Sequence, residues 1–353
     1  MIGEGIDETI RLYCAQADAS NIVSACLKYV KNSVTALSLA IDCMEEAAII
    51  HPKVRQLYEM VIIQGVDSRD KERRKIVSQA RLSSRLRKLT PLENGLEIDS
   101  SLVTCAEYQL FIDWYTDFIP PHWRNNSFEL GKGNTPILGI RAIDAVAFCD
   151  WLTRREVGEW HYRLPTIDET TQHEIISKQK YGYWVEDDGK YLLMGISLEE
   201  WNAVTIKAIE NLLMAESSFS YRYRNSEIIR KAIINRLSQR TPQIDLDRIL
   251  SSATKLNKLR KEAGVSNLAL DYGIKEALNR TSPNRLNVIS MVCDSLIRTY
   301  FQLNTKDQKD QKNSLLVLDA FIDLMILELR IRGHLLPPEG IRILREPKEV
   351  GSG

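Results

Sequence analysis

The 353-residue sequence lacks an excess of either charge, any C-x-x-C pair and any long apolar run. Its 47 Lys and Arg residues balance 47 Asp and Glu residues, so the formal net charge is +0. Without a molecule-wide field, the chain has no general attraction for nucleic acid or for a membrane surface. No apolar stretch reaches the about 18 residues of a membrane span, and no signal-peptide pattern opens the chain. The sequence therefore predicts a cytoplasmic protein and disfavours both a membrane and a nucleic acid as partners.

The cysteines are few and scattered, and most of them lie inside apolar helical patterns. Small secreted chains need disulfide frameworks because their cores are small, whereas a chain of this length can build two or three ordinary cores. We therefore expect free, buried thiols rather than disulfides. The residues concerned are Cys14, Cys26, Cys43, Cys105, Cys149 and Cys293.

Residues 1–66 predict a short helical-repeat segment. Apolar residues recur at intervals of three and four, as between Ile10 and Cys14, and His51-Pro52 marks the start of a further helix. An array this short leaves open ends that need neighbours to bury them. We therefore expect a further part of the protein on its N-terminal side.

Residues 67–88 are dense in basic side chains and contain few acids. The basic residues are Arg69, Lys71, Arg73, Arg74, Lys75, Arg81, Arg85, Arg87 and Lys88. A strip that binds phosphate groups would need interleaved aromatic or glycine residues, which this segment lacks. We interpret the segment as a charged, solvated linker helix.

Residues 89–196 combine strand and helix patterns. The predicted elements are a hairpin over 89–98 that turns at Asn94-Gly95, a helix over 104–114, a strand over 137–140, a helix over 143–155, a strand over 160–164, and a hairpin over 181–194 that turns at Asp187-Asp188-Gly189. Asp144 is suited to capping the second helix. Arg163 and Asp168 flank a turn, where they could form a structural ion pair.

Residues 197–336 follow a helical pattern, except for the polar stretch 306–313, which we expect to be an exposed loop. Residues 337–346 return to strand character. If this strand pairs with those of residues 89–196, the helical residues are an insertion within one domain, because buried strand edges must be paired. Residues 347–353 form a tail whose final Gly-Ser-Gly is typical of a cloning remnant.

Three blocks of residues occur in the order found in one enzyme family. The blocks consist of Val103, Thr104, Tyr108 and Phe111, then Pro136, Gly139, Asp144, Ala145, Ala147, Phe148, Cys149, Trp151 and Leu152, and last Tyr162, Arg163, Leu164, Pro165 and Thr166. This order resembles the first half of the formylglycine-generating (sulfatase-modifying factor) domain. Residues 340–343, with the sequence Gly-Ile-Arg-Ile, resemble its closing strand.

The resemblance implies an α+β fold built on a degenerate C-type-lectin-like (formylglycine-generating-enzyme-like) domain. That domain would comprise residues 89–196 and 337–346. Residues 197–336 would be its large helical insertion, and the short helical-repeat segment would precede it.

The chemistry of the family does not carry over with the resemblance. A formylglycine-generating oxidase holds copper through two reactive cysteines near the C-terminal end of its domain, but between Thr166 and Gly340 this chain has only Cys293. One thiolate cannot supply a two-sulfur copper site. Related nonheme iron enzymes use histidines and a carboxylate, for which His173-Glu174 offers one adjacent pair. We therefore expect no catalysis, no bound metal and no cofactor.

In C-type-lectin-like domains, the loops that follow the Arg-Leu-Pro-Thr strand display the ligand-binding side chains. The residues in that region are Tyr183, Trp184, Glu186, Asp187, Asp188 and Tyr191. We predict that they form a ligand- or partner-binding surface, since aromatic side chains supply contact area at a low entropic cost. The alternative is that Tyr183 and Trp184 belong to the core. Three consecutive acids in a tight turn cannot all bind one ion, which argues against calcium.

The order of segments also resembles the C-terminal region of bacterial, notably cyanobacterial, NACHT-type signalling NTPases. This implies a noncatalytic sensor in signal transduction or antiphage defence, with a protein or phage-derived ligand as its partner and an NTPase module N-terminal to the present chain. Two alternatives stay open. One is a metal-dependent oxidase of the formylglycine-generating type with a rearranged site, and the other is a helical scaffold for self-assembly.

Overall fold

The computed structural model describes residues 2–28, 33–123, 125–156, 158–172, 181–215, 227–239, 244, 246–265, 269–279, 282–304 and 311–348. Within them the chain adopts an α+β fold in which helices accompany two small sheets. None of the described helices is both long enough and apolar enough to cross a membrane. The six cysteines are free thiols, and all except the half-buried Cys26 are buried.

The N-terminal part is helical, as its periodicity predicted. Its helices are α1 (Ile2–Gln16), α2 (Ser20–Lys28), α3 (Val34–Glu46) and α4 (Pro52–Tyr58), followed by a π-helical turn at Glu59–Ile63. Helix α4 begins where the sequence predicted, because Nδ1 of His51 accepts a hydrogen bond from the Lys53 N–H at 3.2 Å. Pro52 then occupies the first turn, where no N–H is needed.

Helix α5 (Lys71–Arg87) is a helix, as expected, but it is not a solvated linker. Asp70 caps it, since its Oδ1 accepts a hydrogen bond from the Glu72 N–H at 3.0 Å. The helix packs between α3 and α6 (Cys105–Ile112). Its buried residues are Val77, Ser78, Ala80, Leu82, Ser84 and Leu86. Helix α5 has more charged residues than buried ones, so its composition alone does not indicate that one of its faces is buried.

Two sheets form the strand-bearing part of the molecule. Besides α6, its elements are β1 (Thr90–Pro91), β2 (Glu97–Ile98), α7 (Ala142–Arg155), β3 (Trp160–Arg163), α8 (Ile167–Gln172), β4 (Gly182–Asp187), β5 (Lys190–Met194), β6 (Glu339–Gly340) and β7 (Leu344–Pro347). The first sheet has the antiparallel order β1-β2-β7-β3, and the second has the order β5-β4-β6. Strands near the end of the chain therefore pair with strands that precede the helical residues, as the sequence predicted.

Both predicted hairpins are confirmed. Strands β1 and β2 pair around Asn94 and Gly95, which have φ angles of 61° and 74°. Strands β4 and β5 are joined by Asp188 and Gly189, with φ angles of 47° and 72°. The β4–β5 loop has two residues, both left-handed, which is the type I′ geometry in which Asn, Asp and Gly are favoured. The β1–β2 loop is longer, because Pro91 pairs with Glu97.

The predicted strand over residues 137–140 is absent. The Ile137 N–H donates a hydrogen bond to the Val103 carbonyl at 2.8 Å, but pairing there is limited to one bridge between Thr104 and Pro136. Proline has no N–H with which to extend a ladder, so the pairing stops after one step.

The predicted ion pair between Arg163 and Asp168 is also absent. The Arg163 guanidinium instead pairs with Glu169 and Glu346, each at 2.7 Å. Glu169 is better placed because it accepts a hydrogen bond from the Thr166 N–H at 2.7 Å and closes the first turn of α8. The ion pair thus fastens α8 and β7 to β3.

The remaining helices lie between β5 and β6 in sequence. They are α9 (Leu198–Ala215), α10 (Glu227–Leu237), α11 (Leu246–Glu262), α12 (Leu270–Leu278), α13 (Arg285–Asn304) and α14 (Gln311–Ile331). Helix α14 includes residues 311–313, which the sequence predicted to be loop, while the other residues of that predicted loop lie outside the described ranges.

The buried apolar residues form two main cores. The first core unites α1–α3 and α5–α7 with β3, Trp184 and Ile341, so the N-terminal helices and the strand-bearing part share one interior. The second core belongs to α9–α14. Polar bridges connect the two sides, among them Arg141 to Asp247, Arg330 to Glu339, and Arg285 to the Pro121 carbonyl, each at 2.8 Å.

Candidate ligand-binding cleft

The structure places two of the predicted surface residues in the interior. Trp184 is 1% exposed and donates its indole N–H to the Ile140 carbonyl at 2.6 Å. Tyr183 is 7% exposed and lies against the buried Arg342 guanidinium, which is 5.3 Å from the ring centre. These two side chains cannot contact a partner without unfolding β4. The alternative that assigns both to the core describes them correctly.

The other four predicted residues remain accessible. Glu186, Asp187 and Tyr191 are half-buried, and Asp188 is exposed at the tip of the β4–β5 hairpin. Without the two aromatic side chains they form an acidic hairpin end rather than a ligand-binding surface with an apolar centre. Their role in binding stays a prediction.

Of the residues considered as metal ligands, Cys293 lies in the part of the chain that the structure describes. No group of three or more His, Cys, Asp or Glu side chains there could hold an ion. Cys293 is fully buried in the second core, and burial raises the pKa of its thiol well above the usual range. His173 and Glu174 lie outside the described residues.

A cleft of about 820 Å³ lies between the two cores. On one side its walls are α5, α6 and residues 125–127, and on the other they are residues 282–287 and the end of α14. Ala106 and Leu110 on the first side belong to the first core, whereas Leu286 and Ile331 on the opposite side belong to or pack on the second. A molecule bound here would contact both cores at once.

Helix α5 contributes a polar wall. Lys71, Arg74, Lys75 and Ser78 line the cleft, and their spacing of three and four residues places them on one face of the helix. Arg74 is held in place because its guanidinium lies 5.4 Å from the centre of the Phe128 ring. Ser78 donates its hydroxyl to the Arg74 carbonyl at 2.7 Å. The basic side chains therefore project from a helix whose other residues are partly buried.

Helix α6 provides the second wall through Ala106, Gln109, Leu110 and Asp113, again spaced by three and four residues. Gln109 is buried and organises the neighbouring loop. Its amide donates to Oδ1 of Asp113 at 3.0 Å and to the Asn126 carbonyl at 3.1 Å. Because this side chain satisfies the loop backbone, residues 125–127 have a defined position at the rim.

The third wall is the start of α13. Ser282, Arg285, Leu286 and Asn287 all line the cleft. Nε of Arg285 donates to the Ala277 carbonyl at 2.9 Å, and its Nη2 reaches Pro121 on the other side of the cleft. The first N–H groups of a helix have no acceptor within the helix, so this wall presents backbone donors as well as a cation.

The electrostatic character of the cleft is basic. Four cationic side chains line it, at Lys71, Arg74, Lys75 and Arg285, and Asp113 is the one acidic residue among its lining residues. Within the described residues, no carboxylate lies within ion-pair distance of Lys71 or Lys75, although Lys75 is half-buried. A balanced net charge for the whole chain therefore coexists with a local excess of positive charge.

The sequence contained a signal for this cleft that composition obscured. Residues 67–88 are rich in cations but lack the aromatic or glycine residues that would mark a phosphate-binding strip. Periodicity places Lys71, Arg74 and Lys75 on one helical face with Ser78, and that basic face continues through Arg81 and Arg85. The opposite wall has no comparable signal, because residues 282–287 approach α5 only through tertiary packing.

Residues 47–199 match the family model of the sulfatase-modifying factor enzyme 1-like domain. The match supports the formylglycine-generating enzyme-like family. No curated protein and no solved structure matches the chain significantly.

The matched residues contain only one side of the cleft. Helices α5 and α6 and residues 125–127 lie inside the sulfatase-modifying factor enzyme 1-like segment, whereas residues 282–287 and Ile331 lie beyond it. The cleft is thus formed where the family-like segment meets the helices inserted after it. The match also begins before residue 89, and so includes helices that the sequence analysis had assigned to a separate repeat segment.

Proposed function

We propose that this protein is a noncatalytic recognition module, a sensor that binds a ligand in the cleft between its two cores. The observation that carries the proposal is the lining of one cleft of about 820 Å³ by residues of both cores. Sites for small molecules commonly have this size and lie between packed units. A ligand that contacts both units favours the arrangement in which they are close, and this is how binding can change a conformation.

The environments of Cys149 and Cys293 support a noncatalytic role. Thiolates, rather than thiols, are the ligands of copper. Burial raises the pKa of Cys293 well above its usual range, and it also raises that of Cys149. Neither thiol ionises readily, and the two belong to different cores. A copper site of the formylglycine-generating type needs two thiolates together.

The wider context of the proposal rests on resemblance. The chain would be a degenerate C-type-lectin-like domain from a bacterial NACHT-type signalling or antiphage defence protein, and its ligand would derive from a phage or from the cell's response to one. The helices inserted between β5 and β6 would then form half of the recognition site. In this proposal the acidic hairpin end is a secondary contact surface.

Elemental analysis tests the noncatalytic part of the proposal. Protein purified without chelators should contain far less than one equivalent of copper or iron. A stoichiometric transition metal would contradict the proposal and favour an oxidase with a rearranged site, with Cys293, His173 and Glu174 as the first ligands to substitute.

Equilibrium dialysis tests the recognition part. The purified protein is dialysed against the small-molecule fraction of a bacterial extract, and mass spectrometry identifies compounds enriched on the protein side. We expect enrichment that Asn287→Trp strongly reduces, because this exposed residue lines the cleft and the indole would obstruct the space beside the start of α13. Lys255→Trp, on the exposed face of α11, is the matched control. Equal enrichment by both variants would contradict binding in the cleft.

A further inference from the structure

We propose that the ligand of the cleft is a phosphorylated small molecule whose phosphate groups bind between the basic face of α5 and the start of α13. This inference rests on the proposed recognition function and names the chemical class of its ligand. It follows from three features of the lining: the charges on α5, the first turn of α13 and the buried hydroxyl of Ser282.

The clustered positive charges on α5 favour an anionic ligand. Lys71, Arg74 and Lys75 lie within one turn of each other, so their positive charges repel across the same face of the helix. Lys75 is half-buried, and no carboxylate lies within ion-pair distance of it among the described residues. An anionic ligand would offset the repulsion between these cations. The single acid in the lining, Asp113, is exposed and occupied by the Gln109 amide.

The first turn of α13 faces the same space. Leu286 and Asn287 are the second and third residues of this 20-residue helix, and both line the cleft. Their N–H groups precede the point at which intrahelical bonding begins, and the aligned peptide dipoles add a partial positive charge there. Helix starts of this kind bind phosphate groups through backbone N–H donors.

Ser282 supplies an independent observation. Ser282 is 9% exposed, and its hydroxyl oxygen is buried without a hydrogen-bond partner among the described residues. Buried hydroxyl groups are nearly always hydrogen-bonded, because a buried group without a partner loses the hydrogen bonds that water would give it. Ser282 lines the cleft just before α13. A phosphate oxygen held by the helix start would accept a hydrogen bond from the Ser282 hydroxyl.

The remaining lining residues indicate an organic group beside the phosphates. Ala106, Leu110, Pro283, Leu286 and Ile331 provide apolar surface next to the cations. A cleft of about 820 Å³ is larger than a chain of three phosphate groups requires. Apolar walls with a few well-placed polar groups are typical of sites for drug-sized or nucleotide-sized molecules.

Isothermal titration with three probes tests the inference on the full chain. The probes are inorganic tripolyphosphate, ATP as a representative organic phosphate, and citrate as a multiply charged anion without phosphorus. We expect one molecule of tripolyphosphate or ATP to bind per chain, ATP more tightly than tripolyphosphate, and citrate at least about tenfold more weakly. Affinity should fall as salt concentration rises.

Variants locate the binding. Lys75→Glu should weaken tripolyphosphate binding about ten- to hundredfold, as expected for the loss of a charge-assisted hydrogen bond, and Ser282→Ala about three- to tenfold. Lys255→Glu, an exposed lysine on α11, is the matched charge reversal and should leave the affinity unchanged. Circular dichroism and thermal unfolding verify that each variant folds, and Lys71→Glu replaces any variant that does not.

The outcomes separate this inference from the proposed function. No binding of either phosphate probe, or binding that Lys75→Glu and Ser282→Ala leave unchanged, would overturn the phosphate site. Citrate binding as tight as tripolyphosphate would show a general anion site and overturn the phosphate assignment, while recognition in the cleft would stand. If ATP bound no more tightly than tripolyphosphate, the inference that an organic group contacts the apolar wall would be refuted.

Discussion

The position of Trp184 shows how one residue changes the interpretation of a surface. In the sequence it belongs to a hairpin with aromatic and acidic residues, which suggested a binding loop. In the structure its ring lies in the first core and its N–H satisfies the Ile140 carbonyl. Alternation predicts that neighbouring residues of β4 point to opposite faces, but it does not tell which faces are covered. Both faces of β4 are covered at Tyr183 and Trp184.

Substitution of Trp184 should therefore affect stability rather than recognition alone. We expect Trp184→Ala to lower the free energy of unfolding by about 3–5 kcal/mol, the range for a fully buried large aromatic residue. Urea denaturation measures the loss. Tyr191→Ala, a half-buried residue of the same hairpin, should cost clearly less. If the Trp184→Ala protein were as stable as the wild type, the buried position of this side chain would be contradicted.

Glu107 is a buried acid whose charge the fold maintains. Burial would raise its pKa, but the Arg85 guanidinium at 2.9 Å and the hydrogen bonds from Thr104 outweigh burial and hold the pKa below the ordinary value of 4.5. A pKa lowered by folding means that the unfolded chain binds the proton more tightly. The stabilisation is therefore complete above pH 4.5 and is lost as the pH falls through the folded-state pKa.

The pH dependence of unfolding tests this balance. The difference in unfolding free energy between the wild type and Glu107→Gln should be constant above pH 4.5 and should shrink at lower pH. Chemical denaturation at a series of pH values measures it. Glu129→Gln, an exposed substitution, is the control. A difference that grows on acidification would mean that folding raises the pKa of Glu107.

At the scale of elements, helix α5 both packs in the first core and lines the cleft. One side packs against α3 and α6, while the stripe of Lys71, Arg74, Lys75 and Ser78 lines the cleft. Without an anion, the stripe places like charges three and four residues apart, an arrangement that destabilises helices. Binding sites often lower the stability of the ligand-free protein in this way.

Lys75→Gln should consequently stabilise the free protein. We expect its free energy of unfolding to rise by about 0.2–0.5 kcal/mol at low salt, because one repulsive pair of like charges is removed. The gain should disappear in high salt, where the charges are screened. Urea denaturation at two ionic strengths measures both effects, with Lys255→Gln as the control. A loss of stability at low salt would indicate that Lys75 has a stabilising partner in the free protein.

The strand and helix elements of the family-like segment were largely predictable, and the reason is local. Turn residues at Asn94-Gly95 and Asp188-Gly189 require left-handed backbone, and a Thr-x-x-Glu sequence caps α6 through Thr104 and Glu107. The failed predictions had local as well as distant causes. Pro136 ends the pairing beside residues 137–140, and Glu169 lies six residues from Arg163, whereas the second partner of Arg163 is distant. The Arg163 ion pairs involve Glu346 on β7, which lies 183 residues away in sequence. Spacing within a segment carries no information about such partners.

At the scale of the molecule, the sequence predicted an insertion but not what it forms. The pairing of β7 with β2 and β3 was expected from the resemblance of the closing strand. That the N-terminal helices share the first core, and that α13 faces α5 across a cleft, follows only from tertiary packing. The cleft residues come from segments about 200 positions apart, and neither segment alone has an obvious site.

The two cores are connected by polar bridges rather than by a continuous apolar interior. Arg285 donates to Pro121 and Arg141 pairs with the exposed Asp247, so part of this connection is in contact with water. Exposed ion pairs contribute little, with typical values of about 0–1 kcal/mol. Arg330 and Glu339 form a buried bridge beside the exposed one, so a ligand in the cleft would add to a connection that includes one buried and one exposed ion pair. This is the property that a sensor needs, because binding can then alter how the cores are held together.

Hydrogen exchange can detect that coupling. On addition of ATP at about 100 times its dissociation constant, binding would stabilise the folded protein by about 2.7 kcal/mol. We expect slower amide exchange in α5 and α6 of the first core and also in α12 and α13 of the second, because the ligand contacts both. Lys75→Glu should show neither change. If protection were confined to one core, the ligand would bind without bridging the two, and the cleft would be a binding site but not the coupling element of a sensor.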